Sequence, residues 1–265
     1  MKNKIIIFTI ILFIIFFTIY TLRFKNSFNK LCNENRYLDL DKKRFFVDKL
    51  HVKDYINNNF KYIKTAKVYF KTDNLKELIN YDFSKLPNKF IIKSNNGSQD
   101  VLIIDNKQKL NKIKQLIKEK YKGHIFPYGN IPIINDIMGY EKQYLIKKYY
   151  FIEEYLGKNI NDYKIHVIDG KIDFLIVDSN RHYDHCQNIY DHNFNLLKDR
   201  NTHFKKCNFI HKKPQNLSLM KKFCNEFYKM NKLNFFRIDF YEIDGKLYFG
   251  EFTFTPANCF GIYVH

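Results

Sequence analysis

"FFRIDFYEIDGKLYFGEFTFTP" (residues 235–256) is the stretch on which the fold turns. Two aromatic-rich apolar runs flank Asp244-Gly245, a dipeptide that accepts positive φ and so favours a tight hairpin between antiparallel strands. Arg237, Asp239 and Glu251 interrupt those runs, where a buried strand would stay apolar. Strand side chains alternate between faces, so the turn decides which charges meet. A two-residue loop pairs Ile243 with Lys246, sets Asp239 opposite Gly250 and sends Glu251 to the other face. A three-residue loop, with Gly245 left-handed in a bulge, pairs Glu242 with Lys246 instead. That register gathers Arg237, Asp239, Glu251 and Thr253 on one face and leaves Ile238, Phe240, Tyr248, Phe252 and Phe254 as a core face. The three-residue loop is therefore the expectation. From the hairpin alone a solvated Arg-Asp-Glu salt bridge is the stronger reading; two carboxylates beside an arginine also suit a hard cation such as Mg²⁺ and its anion.

Upstream, "FIIKSNNGSQDVLIID" (90–105) reads as two strands around a polar turn containing Gly97, followed by a helix with Leu110, Ile113, Leu116 and Ile117 on one face. "YLIKKYYFIEEYLG" (144–157) is a strand ending at Glu153-Glu154. "DYKIHVIDGKIDFLIVDSNR" (162–181) is a hairpin turning at Asp169-Gly170, and residues 217–230 return to helical spacing. Hairpins alternating with helices predict a mixed α+β architecture built on antiparallel sheets.

At 265 residues and 45% hydrophobic content the chain is able to build its own core. Residues 5–22, "IIIFTIILFIIFFTIYTL", are uncharged and span roughly 27 Å as a helix, enough to cross a bilayer. No small-residue cleavage site follows, so a single uncleaved N-terminal transmembrane helix is expected. The basic residues after the run outnumber those before it, which places the following domain on the cytoplasmic side. The net charge of +18 is spread among Asn, Ile, Tyr and Phe without a nucleic-acid-binding signature, and fits an anionic leaflet or a polyanionic glycan better. The five cysteines are odd in number and contain no C-x-x-C pair, which predicts free thiols in a reducing compartment.

Together with "LPNKFIIKSNNGS" (86–98), "FIEEYLG" (151–157) and "DYKIHVIDGK" (162–171), the opening stretch resembles the ATP-grasp superfamily, most closely its TupA-like branch, which is linked to surface-polymer synthesis. The resemblance runs from about Phe46 to Phe260. It implies two α+β subdomains clasping a nucleotide: an anchor at 1–22, a linker at 23–44, a preceding segment at 45–85, a small subdomain at 86–155 and a large one at 156–265. It also implies site residues. Lys93 and, with weaker support, Lys49 resemble lysines that contact ATP phosphates; Asn96, Gly97 and Ser98 resemble a loop closing over them with backbone N–H groups. Glu153 and Glu154 match a hinge that holds adenine, and Asp162 an acidic position reaching ribose. Asp239, Glu251 and Thr253 match the Mg²⁺ ligands, and Arg237 the arginine that stabilises the transferring phosphate. The implied reaction joins a carboxylate to an amine through an acyl phosphate. Gln99 departs from the family pattern, where another glycine is common.

Other motifs carry less. His182, His185, Cys186 and His192 match no common zinc spacing and read better as a polar loop near the substrate cleft. Arg181 resembles an arginine facing an acidic substrate, and Lys164 reads either as a phosphate contact or as an exposed strand lysine. Asp39-Leu-Asp41 has the D-x-D form of glycosyltransferases, which keeps a single-pass glycosyltransferase as the alternative enzyme. A nucleotide-binding pseudoenzyme is the non-enzymatic alternative.

Overall fold

The computed structural model describes residues 10, 11, 13, 14, 18, 27–97, 100–107, 109–121, 142–158, 160–181, 183–200, 202 and 204–259. The elements in chain order are α1 (Ser27–Asn35), α2 (Leu40–Val47), α3 (Val52–Asn59), β1 (Lys64–Thr65), β2 (Val68–Thr72), α4 (Leu75–Asn80), β3 (Phe90–Ser94), β4 (Val101–Ile104), α5 (Leu110–Tyr121), β5 (Tyr150–Glu154), β6 (Asp162–Ile168), β7 (Lys171–Ser179), β8 (Cys186–Tyr190), α6 (Leu217–Asn231), β9 (Phe235–Ile243) and β10 (Lys246–Thr253).

Two sheets result, one of six strands in the order β1-β10-β9-β6-β7-β8 and one of four in the order β2-β5-β3-β4. Each buries one face under helices. On α5, Ile113, Ile117 and Tyr121 recur every fourth residue and pack with Phe90, Ile92 and Ile152 of the small sheet. On α6, Met220, Phe223, Cys224 and Phe227 form the equivalent stripe over Ile165, Ile238, Phe240 and Phe252 of the large sheet. The small unit is wider than the expected 86–155, because β2 pairs with β5 and belongs to the small sheet.

The β9–β10 hairpin corrects the expected turn. Ile243 pairs with Lys246, so the loop has two residues, and both Asp244 (φ 49°) and Gly245 (φ 68°) take the positive φ that such a turn requires. The bulge lies farther along, between Phe249 and Glu251, and returns Glu251 to the position opposite Asp239 and Thr253 opposite Arg237. The four polar residues therefore share a face as expected, but Gly250 and not Gly245 brings them together. The inward parity also switches there: Leu247 and Phe249 are buried in place of the expected Tyr248, and Phe252 follows. A side chain at position 250 would place its Cβ 2.9 Å from the Asp239 carbonyl oxygen. Gly250→Ala is expected to lower stability by about 1–3 kcal/mol, read by urea unfolding, because that neighbour is backbone and yields little.

Residues 23–44 are not the expected polar linker. Within them α1 and the start of α2 form, with Phe28 and Cys32 buried against Phe174, Ile176, Ile189 and Phe235. Cys32 is disulfide-bonded to Cys259, and Cys186 to Cys207, leaving Cys224 as the free, buried thiol. This overturns the expectation of free thiols: the pairs are 227 and 21 residues apart, and no local spacing announces them. Arg36, fully buried, reinforces the longer link by donating from Nη1 to Asn258 Oδ1 at 2.7 Å. The expected transmembrane run lies mostly outside the described residues, among which no helix is long and apolar enough to cross a membrane.

Candidate active site

The face of the large sheet opposite the α6 core carries the chemistry. Antiparallel register sets Lys164 of β6 opposite Asp239 of β9, His166 opposite Arg237, and Asp162 opposite Asp178 of β7. Alternation does the rest: Tyr163, Ile165, Ile238 and Phe240 point into the core while the charged residues point away from it.

Arg237 donates from Nε to Asp239 Oδ1 (2.6 Å) and from Nη2 to Asp239 Oδ2 (2.8 Å), and it reaches Glu251 Oε1 at 3.3 Å. Lys164 lies 3.1 Å from Asp239 Oδ2 and 3.2 Å from Asp178 Oδ2, and it also contacts Asp162. Arg181, half exposed, pairs with Asp162 at 3.0 Å. Lys164, its side chain 12% exposed, is thus the hub of three aspartates, which removes its reading as an exposed strand lysine. Burial works against its charge, yet Asp162, Asp239 and Asp178 raise its pKa above the ordinary lysine value. Burial pushes Asp162 up to about 6, against the pull of Lys164 and Arg181. Glu251 behaves oppositely: against the upward push of desolvation, Lys49 and Arg237 hold it well below the usual carboxylate range. Burial, with Arg237 and Lys164 nearby, keeps His166 neutral.

A second cluster lies on the small sheet. Glu153 of β5 is 2% exposed, and its carboxylate accepts from Lys53 Nζ of α3 at 2.6 Å and pairs with Lys93 of β3. Burial pushes Glu153 up, but the charges of Lys93 and Lys53 more than reverse that and hold it low. Its side chain pairs with both lysines, one from α3 and one from β3. Glu154 is tied to the residue just before β2, accepting from the Lys67 N–H at 3.2 Å. Replacing one member of a buried ion pair leaves the other uncompensated, so Glu153→Gln is expected to cost about 3 kcal/mol at neutral pH. Because the folded-state pKa is depressed, wild-type Glu153 adds stability above the ordinary value of 4.5 and loses it as pH falls. The gap between wild type and variant, measured by urea unfolding, should accordingly narrow below that pH.

Lys49 joins the clusters. It sits in the turn between α2 and α3, donates to the Gly97 carbonyl at 2.6 Å, and pairs with Glu251 Oε2 at 2.9 Å. Buried Asn95 sets that geometry: its Nδ2 donates to Asp48 Oδ2 (2.8 Å) and the Lys147 carbonyl (3.0 Å), while its own carbonyl accepts from the Lys49 N–H (3.1 Å). Asn96 reaches the Tyr144 carbonyl at 3.5 Å. A Cβ at Gly97 would lie 2.3 Å from Asp100 Cβ, so this loop reverses where only glycine fits. Ser98, Gln99 and His182 lie outside the described residues.

Asp239 and Glu251 stand side by side, with the Thr253 position next along β10 on the same face. An all-oxygen set of this kind fits a hard divalent cation, with Arg237 and Lys49 at the same carboxylates placed to meet its anion. Asp162 pairs with Lys164 and Arg181 through Oδ2 alone, and its Oδ1 is buried without a hydrogen-bond partner. A cleft of about 820 Å³ opens beside α3, bordered by Lys53, Lys64, Lys67 and Lys71. It shares Lys53 with the small-sheet cluster but none of Arg237, Asp239 or Glu251.

The pattern described as TupA-like ATP-grasp matches residues 29–264. The chain belongs to the TupA-like ATP-grasp family. The expected α+β ATP-grasp fold is thereby shown for the matched stretch. Among curated proteins none matches the sequence. Solved structures that resemble it include the ATP-grasp ligase PsnB with a minimal precursor (11% identity, 83% of this chain and 55% of that one, TM-score 0.47). The D-alanine–D-alanine ligase of Bacillus anthracis with ATP is another (16% identity, 79% and 55%, TM-score 0.46). A third is the macrocyclase MdnC of Microcystis aeruginosa bound to the precursor peptide MdnA (11% identity, 88% and 60%, TM-score 0.43). The chain spans little more than half the length of these ATP-grasp proteins.

Of the residues singled out from sequence, the fold of this family member brings Arg237, Asp239, Glu251 and Lys49 into direct contact, and Lys93 to Glu153. Sequence reasoning passed over Lys53, Asp178 and Asn95. For Lys53 a signal exists: it lies between Val52 and Ile56, on the buried side of α3, where a lysine needs a partner. Cys186 is spent in its disulfide and His185 faces Asp178 at 3.5 Å, so the histidine-rich loop is a wall of the aspartate cluster. Asp39 and Asp41 pair with Lys42 and Arg44 at the exposed start of α2, far from the convergent geometry a D-x-D site needs.

Proposed function

We propose that this protein is an ATP- and Mg²⁺-dependent ligase joining a carboxylate to an amine through an acyl phosphate, and that it acts on a surface polysaccharide or peptide-like polymer. The observation that carries the reading is the convergence of Lys49, Lys164 and Arg237 on Asp239 and Glu251, beside a loop whose carbonyl Lys49 already holds. Asp239, Glu251 and Thr253 hold Mg²⁺, which when bound neutralises phosphate charge. Arg237, on the same carboxylates, faces the transferring phosphate; Lys93, kept in place by Glu153, meets the phosphates from the small sheet. Lys49 couples the loop at Gly97 to the metal-side carboxylate. The work is positioning and charge stabilisation, so no nucleophilic side chain is required.

The N-terminal run makes it a single-pass membrane protein in this proposal. In this proposal flank charges and the need for ATP put the folded domain on the cytoplasmic side; the two disulfides favour an oxidising compartment as the second reading. Mg-ATP should raise the melting midpoint of the purified chain, since a ligand that binds only the folded state stabilises it. ADP should then be released with carboxylate and amine together. A midpoint that responds to a nucleotide sugar and not to ATP would establish the glycosyltransferase instead; ATP binding without ADP release would establish the pseudoenzyme.

A further inference from the structure

Between β8 and α6 the chain presents "FKKCNFIHKKP" (204–214) at the surface. Phe204, Phe209 and Ile210 are 49%, 44% and 68% exposed, although each is a residue that folding ordinarily covers. They are not side chains on a loose strand end. Cys207 is bonded to Cys186; the Gln187 N–H donates to the Lys205 carbonyl at 2.9 Å; and Asn188 Nδ2 donates to the Phe209 carbonyl at 2.8 Å. The next residue, His211, is buried between Ser179 Oγ and Tyr190 OH, each 2.8 Å away. The segment is thus fastened to β8 on one side of Phe209 and Ile210 and to the interior on the other, which holds these two tips outward.

The charge of the segment itself is of one sign. Lys205, Lys206, Lys212 and Lys213 are exposed, and residues 201–214 contain no Asp or Glu. Lys205 pairs with Asp184, and Lys206 donates to the Lys198 carbonyl. Outward apolar tips ringed by lysines match a bilayer boundary, where apolar groups enter the acyl region while lysines meet anionic headgroups. On the same edge of the fold α1, which follows the apolar N-terminal run in sequence, packs Phe28, Leu31 and Cys32 in one cluster with Ile189 of β8 and Leu197 of the segment beyond it.

We propose that residues 204–213 form a second membrane contact, a disulfide-stapled loop that seats Phe204, Phe209 and Ile210 in the interface of an anionic bilayer and holds the folded domain against it. The inference rests on the single-pass anchor proposed above and is independent of the ligase chemistry.

The chain contains no tryptophan, so Phe209→Trp creates a single fluorescent reporter. The full-length variant, reconstituted in vesicles of phosphatidylcholine with phosphatidylserine, is expected to show blue-shifted emission quenched by brominated lipids, and neither effect in phosphatidylcholine alone. High salt should reverse the shift, because the headgroup attraction is screened. Phe45→Trp, at an exposed position on α2, should respond to neither vesicle. Emission at position 209 that ignores anionic lipid overturns the proposal, as does an equal response at position 45. A blue shift produced by soluble polyglutamate in phosphatidylcholine vesicles, and not by phosphatidylserine, would assign the loop to a polyanion and overturn it equally. Circular dichroism of each variant confirms that the reporter chain is folded.

Discussion

Asp239→Asn is expected to lower ADP release by about 10³-fold, the scale seen when one element of a preorganised electrostatic site is removed. The carboxylate accepts two hydrogen bonds from Arg237 and one from Lys164, so its charge sets where both cations sit as well as where Mg²⁺ binds. Asparagine fills the same volume, and the cations keep partners: Lys164 retains Asp162 and Asp178, and Arg237 retains Glu251. The melting midpoint without nucleotide should fall too, because an amide N–H then faces a cationic donor in a buried site, so the decisive readout is the part of the Mg-ATP shift that depends on magnesium, which disappears. Turnover close to wild type, or an unchanged metal-dependent shift, would show that Asp239 is not a metal ligand.

Cys32→Ser is expected to cost about 5 kcal/mol, because the Cys32–Cys259 link closes a loop over a sequence separation of 227 and removes that much freedom from the unfolded chain. Cys207→Ser opens a separation of only 21 and should cost less, about 3 kcal/mol. The site would feel the first more than the second. Cys259 ends the turn that follows β10, next to Asn258, which Arg36 clamps, and four residues before Cys259 Gln143 Nε2 donates to Thr255 Oγ1 at 2.7 Å. Urea unfolding of both variants, and of wild type with and without reductant, measures the difference. If Cys32→Ser costs less than Cys207→Ser, the long link is not what ties the two ends of the domain together.

Local pattern reached far into this fold. The strands of 90–104, the hairpin at Asp169-Gly170, and the stripes of α5 and α6 follow from alternation, turn chemistry and helical spacing, all of which act over a few residues. The lysine and acid motifs carried the family, and with it Arg237, Asp239, Glu251, Lys49 and Lys93 as a set. Features fixed over long separations were not legible. The Lys53–Glu153 pair spans 100 positions and the Cys32–Cys259 bond 227, and nothing near either residue names its partner. The helical structure within residues 27–44 was missed for a related reason: its polar sequence is held mainly by contacts with strands far along the chain.

The hairpin of residues 235–256 separates the two kinds of information. Its sequence by itself determined that a turn forms at Asp244-Gly245, since few other dipeptides accept positive φ twice in succession, and that Arg237 and Asp239 share a face, since they are two residues apart on one strand. Whether Glu251 and Thr253 join them was decided only in three dimensions. An unbroken two-residue hairpin sends Glu251 to the core side; the fold instead absorbs Gly250 as a bulge, because Phe249 and Phe252 both have places waiting beneath α6 while the charge of Glu251 is met by Lys49 and Arg237 on the other face.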